Sequence, residues 1–114
     1  MIVAIGTRKG LWLARSDDRG SWSVDGPHFL MEEVASVGWD TRRSPARLLV
    51  GVMSWHWGPT VAWSDDLGRT WNENDHASIA FPEDTDTALA RVWQLQPDTA
   101  DRPGVVWAGA EPTS

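Results

Sequence analysis

Two short stretches of this 114-residue chain place two acidic side chains close to a glycine and a tryptophan. They are SDDRGSW at residues 16–22, the first acidic turn, and SDDLGRTW at residues 64–71, the second acidic turn. Paired carboxylates can act as general acid and base in hydrolysis. Because a catalytic centre is seldom written twice within one small domain, the recurrence favours a structural role.

Turn chemistry accounts for the acidic turns position by position. Asp66 can accept hydrogen bonds from turn amides, Gly68 tolerates a positive φ, and the ring of Trp71 can be buried between neighbouring sheets. We therefore predict a scaffold role, with a surface contact as the alternative. The scaffold residues are Ser16, Asp18, Gly20 and Trp22 in the first turn and Ser64, Asp66, Gly68, Thr70 and Trp71 in the second.

The segment SWHWGP at residues 54–59 carries a different chemistry. Exposed indoles such as those of Trp55 and Trp57 can stack on sugar rings, and His56 can serve as a hydrogen-bond partner or general acid/base. The alternative is that both tryptophans fold inward as loop anchors and His56 is merely exposed.

Charged side chains are expected to border the same opening. Arginines there could bind a carboxylate or phosphate in bidentate fashion, whereas the alternative is that they are ordinary solvated turn charges. The candidate ligand-binding residues are Arg8, Lys9, His28, Glu32, Trp55, His56, Trp57, Arg91 and Glu111, and Glu33 borders the same opening.

The sequence predicts no metal and no cofactor. His28, His56 and His76 lack metal-ligand spacing. Glu83, Asp84 and Asp86 are acidic, but the glycine-centred pattern of a calcium loop is missing, which favours a solvated acidic loop.

Composition restricts the partners. A net charge of -6 disfavours nucleic acid and anionic membrane, which need a cationic surface. The chain has no cysteine, its first residues lack signal-peptide features, and its apolar stretches fall short of about 18 residues, so we expect a cytoplasmic location. Nine tryptophans in one small domain suit the layers of a β protein or a binding face.

Periodicity predicts nine short strands and almost no helix. They form three meanders. The predicted strands cover residues 1–7, 10–16 and 21–24, then 33–40, 47–53, 59–65 and 69–74, then 90–97 and 104–111.

Internal repeats organise these strands. Residues 34–53 align without a gap on residues 92–111, and residues 5–22 parallel residues 50–71. With strands A to D in one unit, the chain runs B, C, D, then A, B, C, D, then A, B. This order is typical of a β-propeller with four-stranded blades.

The second acidic turn resembles the Asp-box, or BNR, repeat of sialidase-type propellers, and the first resembles the same box shortened by one residue. The stretches GTRKGLWLARSDD, GPHF, SWHWGPTV, RVWQLQP and VVWAGAEP are similar in order to bacterial WD40/YVTN/BNR-like repeat proteins, often labelled glycosyl hydrolases. The resemblance implies an all-β incomplete propeller of about two and a quarter blades, similar to an N-terminal portion of such proteins. Its units would be residues 1–26, 33–74 and 90–111.

In the resembled families, Asp-box turns lie opposite the ligand face, which implies binding by the B to C and D to A loops. Sialidases of that type use a tyrosine nucleophile and an Arg-Ile-Pro-like motif, and this chain has neither. We therefore expect a non-catalytic scaffold for a glycan, peptide or protein, the alternative being part of a BNR glycoside hydrolase. Open sheet edges also predict self-association. The four loops are residues 7–10, 26–33, 54–59 and 75–91.

Overall fold

A computed structural model describes residues 1–55, 58–72 and 79–112, and within these ranges the chain is all-β with antiparallel sheets. A short 3-10 helix covers Glu83–Thr85. No helix in these ranges is long and apolar enough to cross a membrane. The first sheet contains β1 (Ile2–Thr7), β2 (Gly10–Arg15) and β3 (Ser23–His28); the second contains β4 (Val34–Asp40), β5 (Arg47–Ser54) and β6 (Gly58–Ser64); the third contains β7 (Leu89–Pro97) and β8 (Val106–Pro112).

Within the described ranges, eight of the nine predicted strands have a counterpart; the bounds of one of these are wrong, and the ninth lies partly outside the described ranges. The strand placed at residues 21–24 instead spans Ser23–His28, because Gly26, with φ of 135°, and Pro27 continue an edge strand where they were expected to start a loop. The described part of the stretch at 69–74 contributes only a bridge between Asn72 and Trp63.

The second acidic turn explains why residues 69 and 70 do not pair with β6. The amides of Arg69 and Thr70 donate to the carboxylate of Asp66, at 3.0 and 2.8 Å. Donors held in this way are not available for pairing with β6. Residues 73–74 lie outside the described part of the chain.

The repeat between residues 34–53 and 92–111 is a repeat of strand pairing. Val34 pairs with Val52 and Val92 with Ala110, and the same correspondence, 58 positions apart, continues along both hairpins. Both hairpins also shift register at the equivalent place, between Val34 and Ser36 in one and between Val92 and Gln94 in the other. The two segments are therefore the same hairpin built twice.

A second pairing repeat relates β1 and β2 to β5 and β6. Val3 faces Ala14 as Val50 faces Ala62, and each hairpin closes on a glycine, Gly10 or Gly58. The chain therefore consists of overlapping copies of one antiparallel unit.

Strand β5 lies at the centre of the core. Leu48, Val50 and Val52 pack in one cluster with residues of β2, whereas Leu49 packs with Val92 and Leu95 of β7 on the opposite face. Full burial of one such side chain contributes roughly 1.5–3 kcal/mol. Burial on both faces explains why β5 is apolar along most of its length.

The second and third sheets approach closely at Gly38. A β-carbon at that position would lie 2.7 Å from the carbonyl oxygen of Leu95. Nearby, the hydroxyl of Ser36 donates to the carbonyl of Val92 at 2.7 Å. The two sheets are thus fixed by apolar packing and by a buried hydrogen bond.

Candidate functional site

The two ends of the sheets carry different residues. One end, here called the turn end, holds both acidic turns and the β4–β5 connection. A bidentate pair between Arg47 and Asp65, at 2.7 and 3.0 Å, joins the start of β5 to the second acidic turn there. The opposite end, here called the loop end, holds the β1–β2 turn, residues 29–33 and the β5–β6 connection.

The second acidic turn is organised around Asp66. Its Oδ1 accepts from the hydroxyl of Ser64 at 2.8 Å and from the amides of Arg69 and Thr70, while the amide of Gly68 donates to Ser64 Oγ at 2.8 Å. The hydroxyl of Thr70 donates to Asp66 Oδ2 at 2.5 Å. The hydrogen bonds from Thr70, Ser64 and Arg69 hold the pKa of Asp66 well below its usual range. A carboxylate held ionised in this way is suited to structure rather than to donating a proton.

The same turn attaches the second sheet to the first. The ring of Trp71 packs edge-on against Phe29, with centroids 4.9 Å apart, and its Nε1 donates to His28 Nδ1 at 3.3 Å. The guanidinium of Arg15 donates to the carbonyl of Leu67 at 2.8 Å. These contacts join the second acidic turn to the end of the first sheet.

The first acidic turn repeats this arrangement with one residue fewer. The amide of Arg19 donates to Ser16 Oγ at 2.7 Å, and the amides of Gly20 and Ser21 donate to Asp18 Oδ1 at 2.8 and 3.0 Å. These backbone bonds, that of Ser21 above all, lower the pKa of Asp18.

The hydrogen bonds show which residue of the second acidic turn has no equivalent in the shorter first turn. Arg19, with φ of 63°, takes the place of Gly68, whose φ is 89°, and Gly20 takes the place of Arg69. The missing position is that of Leu67, which also has a positive φ of 61°. By its hydrogen bonds, Gly20 therefore corresponds to Arg69 rather than to Gly68.

At the loop end, several candidate residues come together. The amide of Trp55 donates to Glu32 Oε1 at 3.1 Å. Glu33 accepts from Arg91 Nε at 3.1 Å and from its Nη2 at 3.4 Å. The amide of Met53 donates to the carbonyl of Glu33 at 2.8 Å, which fixes this part of the backbone.

Strands β7 and β8 of the third sheet add further contacts around Arg91. The guanidinium of Arg91 lies 5.5 Å from the ring centre of Trp93, whose Nε1 donates to Glu111 Oε2 at 2.6 Å. Arg91 and Glu111 are also cross-strand neighbours. We call this group the rim cluster; it comprises Glu32, Glu33, Trp55, Arg91, Trp93 and Glu111.

Trp93 is a member that the sequence analysis missed. A register shift between Val92 and Gln94 changes the alternation of β7, so that Val92 and Leu95 are both buried and Trp93 is 53% exposed. Two buried residues three positions apart are a signal of such a bulge.

Other candidate residues lie elsewhere. His28 lies at the junction of the first and second sheets, where it contacts Trp71 and Asp25. Arg8 is exposed, and Lys9 contributes its backbone carbonyl to the amide of Met31 at 3.1 Å. His56 and Trp57 lie outside the described residues.

The charges of the rim cluster decide which ligands it can accept. It combines three carboxylates with one guanidinium, and the side chain of Glu33 raises the pKa of that Arg91 group. Because Glu33 binds the Nε and Nη2 of Arg91, its carboxylate competes with an anionic ligand for this guanidinium. A neutral ligand with hydroxyl or amide groups could donate hydrogen bonds to these carboxylates. The indole of Trp55, which is 75% exposed, offers an apolar face to the same ligand.

Within the described ranges, no group of three acidic or histidine side chains could hold a metal ion. Comparison with known proteins gives no assignment, because no family model and no curated protein matches the chain. The resemblance to Asp-box propellers therefore stays a prediction from the motifs.

Proposed function

We propose that this chain is part of an Asp-box propeller-type scaffold that binds a neutral glycan at the rim cluster without catalysis. The observation that carries the proposal is that two exposed tryptophans each have a carboxylate beside them. Glu32 accepts from the backbone amide of Trp55, and Glu111 accepts from the indole of Trp93. Indoles stack on the apolar faces of sugar rings, and carboxylates accept hydrogen bonds from sugar hydroxyls.

The architecture supports the same proposal. Repeated hairpins with identical registers are what a propeller built of similar blades requires, and the hydrogen-bonded acidic turns suit its scaffold. The predicted loop 7–10 and the described part of loop 54–59 border the loop end, where the rim cluster also lies.

Charge distinguishes a neutral glycan from a sialoside. Sialic acid recognition at the rim cluster would use its one arginine, Arg91, which is held by Glu33 and lies over Trp93. We therefore expect the rim cluster to prefer a neutral sugar to a carboxylated one.

Hydrolysis is the alternative function. A glycoside hydrolase needs a carboxyl group that stays protonated near neutral pH. The carboxyl groups of Asp18 and Asp66 have their pKa lowered, which is the wrong direction for that task. A panel of aryl glycosides, including a sialoside, should therefore give no release.

Nuclear magnetic resonance of the 15N-labelled chain tests binding directly. Titration with an N-acetylglucosamine trimer should shift the indole N–H signals of Trp55 and Trp93, whereas sialyllactose should shift them less. Trp55→Ala should weaken binding by about tenfold, as expected for about 1.4 kcal/mol of aromatic contact.

The matched control is Trp22→Ala, since Trp22 is an exposed tryptophan at the turn end. It should leave the affinity unchanged. Unmoved signals of Trp55 and Trp93 with every sugar of the panel, or a stronger response to sialyllactose, would contradict the proposal.

A further inference from the structure

The first sheet has one covered face and one uncovered face. Ile2 and Ala4 pack against the core, whereas Val3 and Ile5, which alternate with them, are 42% and 43% exposed. Val24, on the neighbouring part of this sheet, is 60% exposed. The uncovered face of the first sheet is thus apolar.

The residues of this uncovered face can be compared with the residues at the same register positions in the second sheet. Val3 corresponds in register to Val50, and Ile5 corresponds to Val52. Val50 and Val52 are 0% and 4% exposed, because they pack against the first sheet. Val3 and Ile5 are therefore the exposed counterparts of residues that form a sheet-to-sheet interface.

The acidic turns show the same contrast. Ser21 bonds to Asp18 as Thr70 bonds to Asp66, which makes Trp22 the counterpart of Trp71. Trp71 packs on Phe29, which directly follows the last strand of the preceding sheet, whereas Trp22 is 42% exposed. Trp22 thus lacks the aromatic neighbour that Trp71 has in Phe29.

The third sheet also has an exposed face whose counterpart in the second sheet is buried. Trp107 corresponds in register to Leu49, which is 6% exposed and packs against β7, yet Trp107 is 59% exposed. Its Nε1 donates to Asp98 Oδ2 at 3.1 Å, which orients the ring.

Two equivalent glycines, Gly51 and Gly109, also differ in whether another sheet packs against them. At Gly51 an added β-carbon would lie 3.1 Å from the carbonyl of Val92 in the next sheet. At its counterpart Gly109, the atom within 4 Å is Gln94 Cβ of the same sheet. The outer face of the third sheet is thus shaped like a face that receives another sheet.

We propose that this chain associates head-to-tail with a second copy of itself, the outer face of the third sheet packing on the uncovered face of the first. Trp107 of one copy then lies against Val3 and Ile5 of the next. The contact repeats the stacking used twice within the chain, and it is independent of glycan binding.

The two faces differ, so the contact is heterologous and each copy keeps one face free for another copy. Electrostatic repulsion between the two copies opposes their association, since each chain carries a net charge of -6. Screening should therefore strengthen association as salt rises from about 50 to about 500 mM.

Sedimentation velocity of the full chain tests the proposal with two complementary variants. Val3→Asp combined with Ile5→Asp disables the first-sheet face, and Trp107→Asp disables the third-sheet face. Each should weaken association by at least about 100-fold, because a carboxylate would be buried without a partner.

Mixing the two variants gives the decisive result. Each retains the face that the other lacks, so an equimolar mixture should form a dimer and no larger species. Dimer formation also demonstrates that both variants are folded. Trp55→Ser, which alters an exposed tryptophan at the loop end, should associate like the unaltered chain.

The proposal is overturned by any of three outcomes. The unaltered chain could stay monomeric at all concentrations, or one variant could associate as strongly as the unaltered chain. The third is a mixture of folded variants, judged by circular dichroism, that stays monomeric.

Discussion

Replacing Arg42 by alanine should destabilise the junction between the second and third sheets. Its Nε and Nη2 each donate to the carboxylate of Asp40 at 2.8 Å. Its Nη1 lies 3.1, 2.8 and 2.9 Å from the carbonyls of Asp98, Arg102 and Val105, in the β7–β8 connection. One guanidinium thus joins two consecutive hairpins at the turn end.

The burial of this pair sets the magnitude. The side chains of Arg42 and Asp40 are 10% and 7% exposed, and removing one partner of a buried ion pair costs about 3–5 kcal/mol. The hydrogen bond from Arg42 lowers the pKa of Asp40 from 3.8 to about 2. We therefore expect Arg42→Ala to lower the free energy of unfolding by about 3 kcal/mol.

Urea unfolding at neutral pH measures this loss. Arg42→Lys keeps the charge but loses the fork that matches the carboxylate, so its loss should be smaller than that of alanine. The matched control is Arg69→Ala, since Arg69 is exposed in a turn of the same sheet, and it should change the free energy by less than about 0.5 kcal/mol.

The pH dependence gives an independent check. Because the folded pKa of Asp40 lies below the unfolded value, the stabilisation is fully present above about pH 4 and is lost as pH falls through about 2. Arg42→Ala should flatten this part of the profile. A loss below about 0.5 kcal/mol, with an unchanged acid profile, would refute the reasoning.

Three further predictions concern the acidic turns and the rim cluster. Gly68→Ala should cost about 1–3 kcal/mol in urea unfolding, because φ is 89° and the β-carbon would overlap Leu13, whereas Gly104→Ala, with open space around it, should be nearly neutral. Asp66→Ala should lower the urea midpoint, and Asp66→Asn, which keeps an acceptor, should lower it less; equal losses would show that the acceptor is unimportant. Arg91→Ala should move the indole N–H signal of Trp93, and an unmoved signal would mean that the stacking is not formed in solution.

The sequence predicted the repeated hairpins because pairing registers follow hydrophobic alternation and turn chemistry, both of which are local. Strand β5 is an example, since its apolar residues are distributed between two cores. The stretch at 69–74 was harder to predict, since alternation cannot reveal that Asp66 captures amides that a fourth strand would use.

The candidate site was only partly predictable. Trp55, Glu32, Arg91 and Glu111 were expected at one opening. In the structure the amide of Trp55 bonds to Glu32, and Arg91 is linked to Glu111 through Trp93. His28 was expected there too, but it contacts Trp71 between sheets. Such placements depend on how sheets stack, which no single segment of sequence encodes.

The most direct test of the division between a structural turn end and a binding loop end is the affinity for the N-acetylglucosamine trimer of two variants. Asp66→Ala should bind the trimer like the unaltered chain although it unfolds at lower urea, because its carboxylate serves only the turn. Trp55→Ala should unfold like the unaltered chain and bind about tenfold more weakly. Loss of binding in a folded Asp66→Ala chain, with full binding in Trp55→Ala, would contradict the account.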